Sequence, residues 1–285
     1  MTRLFVDQLT SIDFAYFSTE KTFVGESLIV DLSLEGDYND ESMIVEFGEL
    51  KSQVKTFVDD HFDHRFWTQE NLLSDLDLDY FEFKPDDSSN LSYPATKSAF
   101  LCLPFTYQET TSESLQQTSL FLSEEIQKCM PSNVSKASVS VRTELNDGGY
   151  YHYCHGLRFH KGNCQRLVHG HRSNLKVFLN GERELELERK VRQHVNQIFF
   201  VSSMDQLSSS QNEMTTVRYE GTQGVFSLTY PSSKVRVLAT DTTVECISKY
   251  LYDFLMDSVD TLDRDRDRLS VHAYEGISKG AIAEG

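Results

Sequence analysis

The same order of patterns occurs twice along the 285 residues, and that repetition limits the fold more than any single motif. Residues 4–17 carry β-formers with partial alternation, and Leu28, Val30, Leu32 and Leu34 alternate within 27–36, so both stretches predict strands. Phe47, Leu50, Val54 and Phe57-Val58 set a helical period over 43–62. Residues 68–98 read as an exposed acidic and polar excursion around Pro85-Asp86, and 99–105 as a short apolar run. Thr110-Thr111-Ser112-Glu113 then open a helix to about Met130, since hydroxyl side chains followed by an acid form an N-cap signature. A strand over 137–145 ends at Asn146-Asp147-Gly148-Gly149.

The second pass brings strands over 150–158 and 173–180, a helix over 183–195 and a polar excursion at 207–215. A hairpin-like segment at 216–238, a helix from Thr242-Thr243 to about Met256, a solvated turn at 263–268 and a last strand over 269–276 complete it. Val24-Gly25-Glu26-Ser27 matches His169-Gly170-His171-Arg172, and Asn196-Gln197 takes the place of Asp63-His64. Each last strand carries a glutamate, Glu144 or Glu275. The chain therefore reads as an α+β protein made of two duplicated units, 1–147 and 148–285.

Five of the nine histidines lie between His152 and His171. His169 and His171 alternate, so an extended strand points both imidazoles to one face, where one metal ion could take both. His155, on the paired strand of a hairpin, could supply a third nitrogen, and three protein ligands with an open position is the catalytic zinc arrangement. A His-rich surface loop would have the same spacing.

Charge narrows the partners. Residues 1–147 hold 27 acidic against 10 basic residues and the remainder 17 of each, so the whole net charge of −17 sits in the first unit. Such a chain lacks the clustered positive charge that nucleic acid requires. Arg158, Lys161, Arg166 and Arg172 form a local basic cluster beside the histidines, which suits either an anionic small molecule or an ordinary solvated surface. No run of 18 apolar residues exists and Met1-Thr2-Arg3 leads into no signal region, so a soluble cytoplasmic protein is expected, with no membrane partner. Five scattered cysteines fit free thiols better than a disulfide framework.

His155, Cys164 and His169-Gly170-His171 together resemble the 6-pyruvoyltetrahydropterin synthase and 6-carboxytetrahydropterin synthase family, whose motif runs A-A-H…C-x-x-L-H-G-H-N. One residue more separates Cys164 from the histidine pair, and Cys154 stands where the family usually has alanine. Ile44-Val45-Glu46-Phe47-Gly48-Glu49-Leu50-Lys51 with Asp63-His64 is similar to the family's D-F-G-x-L-K…D-H segment. Thr111–Ser114, Thr242–Cys246, Arg142-Thr143-Glu144 and Ala273-Tyr274-Glu275 resemble its T-x-E-N helix start and final V-Y-E strand. The resemblance implies the tunnelling fold, in each unit an antiparallel sheet with helices on one face, the units closing into a barrel as a homo-oligomer. It implies zinc on His155, His169 and His171, Cys164 as proton acceptor, and Asp63-His64 as a relay. It also implies a glutamate that grips the pterin ring: Glu275 first, Glu113 second, with Glu245 and Glu144 as their counterparts. Arg158, Lys161, Arg166 and Arg172 become contacts for a triphosphate, and His152, His160, His272 and Cys154 are set aside as non-ligands.

The implied reaction converts 7,8-dihydroneopterin triphosphate to 6-carboxy-5,6,7,8-tetrahydropterin, a queuosine and deazapurine precursor. The pyruvoyl product and a non-catalytic pterin- or purine-binding protein are the alternatives. The first unit has Tyr16 and Val24-Gly25-Glu26 in place of the zinc histidines yet keeps Asp63-His64, while the second keeps the histidines and Cys164 but has Asn196-Gln197. Complementary losses of this kind imply one complete site shared between the units and one vacant one. Taken alone, Asp63-His64 also fits a helix C-terminus with a dipole-favoured histidine, and Cys164 an inert thiol.

Overall fold

A computed structural model describes residues 2–75, 79–86, 90–209, 213–259, 262 and 267–285. In the first half β1 (Arg3–Phe17) and β2 (Phe23–Gly36) form a long hairpin, followed by α1 (Phe47–His61) and β3 (Arg65–Thr68). A small sheet of β4 (Leu73–Asp75), β5 (Tyr80–Phe83) and β6 (Tyr93–Thr96) precedes β7 (Phe100–Cys102), α2 (Ser112–Gln127) and β8 (Val134–Arg142). The second half runs β9 (Tyr150–His155), β10 (His169–Leu179), β11 (Glu182–Arg183), α3 (Leu185–Val195) and β12 (Ile198–Ser202). It continues with a second small sheet of β13 (Gln206–Ser209), β14 (Met214–Gly221) and β15 (Gly224–Pro231). The half closes with β16 (Val235–Leu238), α4 (Val244–Ser258), β17 (Leu269–Tyr274) and β18 (Gly280–Glu284).

The main sheets are ordered β7-β3-β1-β2-β8 and β16-β12-β9-β10-β17-β18. Exchanging β1, β2, β3, β7 and β8 for β9, β10, β12, β16 and β17 turns the first order into the second up to β17, and β18 is an added edge strand. These sheets are mixed, which corrects the antiparallel expectation: β3 runs parallel to β1 and β7, and β12 parallel to β9 and β16. The cause is two kinds of crossover: α1 or α3 leads into β3 or β12, and a small sheet links β3 to β7 and β12 to β16.

Helix α1 buries Leu50, Val54 and Val58 at four-residue spacing. It starts four residues later than its periodicity suggests because the Glu46 carboxylate caps it, accepting from the Glu49 N–H at 2.7 Å. Helix α2 is capped reciprocally by Thr111 and Ser114, so the expected signature forms through Ser114 rather than Glu113. Along one face of α2, Ser119, Ser123 and Gln127 accept from the backbone N–H groups of Val141, Val139 and Ala137. The helix thereby satisfies the outer edge of β8, which would otherwise offer itself for strand pairing.

The first excursion is only partly exposed, contrary to its polar reading, whereas residues 207–209 of the second lie exposed. Phe83, Tyr93 and Ala95 of the first are buried together with Phe226, Leu228 and Tyr230 of the hairpin-like segment, and Ser92 bridges to Thr229. Short alternating runs hide apolar faces only when another sheet meets them, and the β14–β15 hairpin supplies that partner for β5 and β6. Residues 263–266 of the expected solvated turn lie outside the described residues. No helix among the described residues is long and apolar enough to cross a membrane.

Each half has its own core between helices and sheet, centred on Val54, Val58 and Leu122 in the first and on Val191, Leu251 and Val271 in the second. A third apolar cluster, including Ala15, Phe66, Cys154 and Phe199, joins the halves. There the backbones cross at Gly25 and Gly170: a Cβ on Gly25 would lie 2.1 Å from the Tyr153 carbonyl oxygen and 2.4 Å from the His171 nitrogen. The glycine shared by the two matching tripeptides is thus the place where the halves meet.

Candidate active site

His155 ends β9 and pairs in register with His169, which starts β10, and His171 follows two residues on. All three are fully buried, and their ligand atoms lie within 4.8 Å of one another. His155 Nδ1 donates to the Thr242 carbonyl at 2.8 Å and His169 Nδ1 to the Arg166 carbonyl at 2.6 Å, which fixes both tautomers and leaves each Nε2 free. The Nε2 atoms of His155 and His171 stand 3.1 Å apart, and Nε2 of His169 is buried with no hydrogen-bond partner. Burial holds His155 and His169 well below the ordinary imidazole range, aided by the neighbouring rings, so both are neutral and able to ligate. Three clustered imidazole nitrogens, one of them orphaned, fit a small divalent ion at about 2 Å from each.

Beside the triad lies a contact between the halves: Cys164 Sγ is 3.3 Å from His64 Nε2, one hundred residues apart in sequence. His64 Nδ1 bonds the Asp63 carboxylate. Burial alone would press His64 down, but the charge and hydrogen bond of Asp63, with Cys164 beside it, carry it well above the ordinary range. Asp63 and Cys164 thus favour the protonated imidazole. Its ring lies 4.7 Å from that of His169, centroid to centroid.

The backbone of Asp13 clamps this turn: its N–H donates to Asp63 Oδ1 at 2.7 Å and its carbonyl accepts from the His64 N–H at 2.6 Å. His64 takes a left-handed φ of 54° there. In the second half the His152 N–H donates to Asn196 Oδ1 at 3.0 Å, the His152 carbonyl accepts from Gln197 N–H at 2.7 Å, and Gln197 has φ 56°. The two turns are built alike, and only one carries groups that can move a proton.

The loop bearing Cys164 is held from two sides. Arg166, 4% exposed, directs Nη1 to the Asp63 and His64 carbonyls, both at 3.4 Å, and Nε to Gln223 at 2.9 Å. Gln165 Oε1 accepts from the Gln223 N–H at 2.8 Å, and Tyr219 OH donates to the Gln165 carbonyl at 2.6 Å. The β14–β15 hairpin therefore fixes the cysteine loop. Tyr219 and Gln223 gave no sequence signal, because their role depends on a hairpin turn returning from 54 to 58 residues away.

Among the glutamates, Glu275 stands nearest the triad, Oε1 being 4.0 Å from His155 Nε2. Glu144 accepts from Ser278 at 3.3 Å. Glu113 and Glu245 occupy the exposed first turns of α2 and α4. Of the basic cluster, Lys161 is exposed, Arg158 donates to the Met204 carbonyl at 2.8 Å, Arg172 stacks 3.6 Å over Tyr150, and Arg166 is committed to the relay turn. Lys279, from the β17–β18 turn, brings a further ammonium to 3.7 Å from Asp13 and had no sequence signal. His152 bonds the Gly25 carbonyl, His160 is exposed and His272 lies against Phe178. Cys154 is buried, and burial pushes its thiol far up, so it is an inert core residue.

Where the first half should repeat the triad, Tyr16, Val24 and Glu26 are buried instead, and Thr110 donates to Glu26 at 2.7 Å. That place is filled by a carboxylate and phenols, a poor set for zinc.

Residues 144–285 match the family model described as 6-pyruvoyl tetrahydropterin synthase. No curated protein matches the chain. Among solved structures, a Plasmodium vivax 6-pyruvoyltetrahydropterin synthase is similar at 21% identity, covering 50% of this chain and 97% of its own, with a TM-score of 0.33. The Plasmodium falciparum 6-pyruvoyl tetrahydropterin synthase is similar at 20% identity over 49% of this chain and 90% of its own, with a TM-score of 0.34. Both likenesses are distant, so the assignment rests on the family model and on the motif it spans. Through its second half, the chain belongs to the 6-pyruvoyl tetrahydropterin synthase family.

Proposed function

We propose that the protein is a zinc-dependent lyase that converts 7,8-dihydroneopterin triphosphate to 6-carboxy-5,6,7,8-tetrahydropterin, at one site shared by two duplicated units, 1–147 and 148–285. The observation that carries this reading is the 3.3 Å contact of Cys164 with His64 beside the buried histidine triad. The shared five-strand order and the matching clamps at Asp63-His64 and Asn196-Gln197 support the duplication.

His155, His169 and His171 would hold the metal, which when bound supplies Lewis-acid polarisation of a substrate oxygen. Cys164 accepts the proton lost from the carbon beside that oxygen. His64, protonated and aligned by Asp63, exchanges a proton with a side-chain oxygen, and its contact with Cys164 lets the proton pass between them. Glu275 accepts two parallel N–H bonds from the 2-amino-pyrimidinone edge. Arg158, Lys161, Arg172 and Lys279 offer positive charge to the triphosphate, while Arg166 holds the relay turn. By the family's analogy, several copies close the barrel.

Glu275→Gln is expected to raise KM at least about tenfold, the cost of replacing a charge-assisted pair by a mismatched amide, with zinc content unchanged. Loss of zinc in that variant would make Glu275 a metal ligand instead. The family's own description favours a second reading, the pyruvoyl product. Product analysis after incubation with 7,8-dihydroneopterin triphosphate decides: acetaldehyde with the carboxy product supports the proposal, and its absence with the pyruvoyl product replaces it. Tight binding without any product would leave a pterin-binding protein.

A further inference from the structure

We infer that Asp13, in the first half, is a positioning residue for the metal of the second: its carboxylate orients His171. The inference rests on the reading that the triad holds the metal. Two of the three histidines are oriented from within their own half, by the carbonyls of Thr242 and Arg166. His171 is not. Its Nδ1 is buried and has no aligned hydrogen-bond partner, and the acceptor beside it is Asp13 Oδ1, at an ion-pair distance of 3.2 Å. A buried imidazole nitrogen requires a partner, and a metal-bound histidine characteristically gives its second nitrogen to a carboxylate or carbonyl.

Asp13 is built to hold that place. It is 2% exposed, accepts from Ser27 Oγ, has Lys279 Nζ 3.7 Å from Oδ2, and carries the backbone clamp on Asp63 and His64. Gly276 packs against it so closely that a Cβ there would lie 2.5 Å from Oδ1. The counterpart of Asp13 in the second half is His152, which makes the equivalent clamp and turns its Nδ1 to the Gly25 carbonyl beside the filled site. The carboxylate thus stands on the side that keeps the triad. One strand of the first half serves both functions of the shared site, setting the relay through its backbone and the metal ligand through its side chain.

The test measures zinc affinity of the metal-stripped full-length chain by chelator competition, together with the visible spectrum after loading with cobalt(II). Asp13→Ala is expected to weaken zinc roughly 10- to 100-fold, the effect of losing an outer-sphere partner, and to alter the cobalt bands. Asp13→Asn keeps an acceptor of the same shape and should recover part of that loss, and His152→Ala should bind as the wild type does. Wild-type affinity and spectrum in Asp13→Asn and in a folded Asp13→Ala would overturn the inference while leaving the metal reading intact. A loss that merely tracks a lower melting temperature of the metal-free chain, with no recovery in Asp13→Asn, would overturn it in favour of packing. A wild-type chain that takes up neither zinc nor cobalt would remove the metal reading and the inference with it.

Discussion

Cys164→Ala and His64→Ala should each reduce turnover of 7,8-dihydroneopterin triphosphate by about 100- to 10,000-fold, the usual range for a positioned acid or base. The two side chains touch at 3.3 Å, so each is half of one proton path rather than an independent contributor. The double variant should therefore be little worse than the poorer single one, as residues acting as a unit are strongly non-additive. Neither substitution touches the three metal nitrogens, so zinc content should stay at the wild-type value in both. The loss should appear in kcat. Two multiplicative losses would mean that the thiol and the imidazole work on separate steps, and a loss confined to Cys164→Ala would remove His64 from the site.

Gly25→Ala is the second large effect. The added Cβ would meet the Tyr153 carbonyl oxygen at 2.1 Å and the His171 nitrogen at 2.4 Å, and both are backbone atoms of strands fixed in a sheet. No rotamer change relieves such a contact, so the halves must part or β10 must shift. Overpacking usually costs 1–3 kcal/mol, and with two backbone partners we expect about 3 kcal/mol or more. His171 sits at the point of collision, so zinc affinity should fall in whatever fraction stays folded. Gly181 provides the contrast: its φ is +87° with nothing within 4 Å of a Cβ, so Gly181→Ala should cost only about 1 kcal/mol of backbone strain. Urea unfolding of the two variants measures the difference. Equal midpoints would deny the close crossing.

Much of this site was legible because its residues lie on periodic elements or in adjacent motifs. The alternation of His169 and His171 specified one strand face, and the pairing of His155 with His169 followed from a hairpin. The doubled order of patterns corresponds to two sheets that share a five-strand order. Where sequence reasoning failed, long-range packing decided. The first excursion looked exposed because the apolar faces of β5 and β6 are short and interrupted, and only burial against β15 makes them strands of a core. Arg166 looked like a phosphate contact because charge gives no direction, yet its guanidinium is spent on peptide carbonyls. Asp13 and Gln223 belong to no motif, and their importance comes from what the other half, or another turn, brings to them.

The central claim is that one chain holds the complete site, with the relay from its first half and the metal and thiol from its second. Co-expressing a His64→Ala chain with a Cys164→Ala chain tests it most directly, by the turnover of the mixed preparation. Each chain then has one intact and one broken half, and with His64 and Cys164 meeting inside a chain no complete site can form. Turnover no higher than that of either variant alone is the predicted result. Recovery well above both would mean that the halves of the site come from different chains, and would contradict the account.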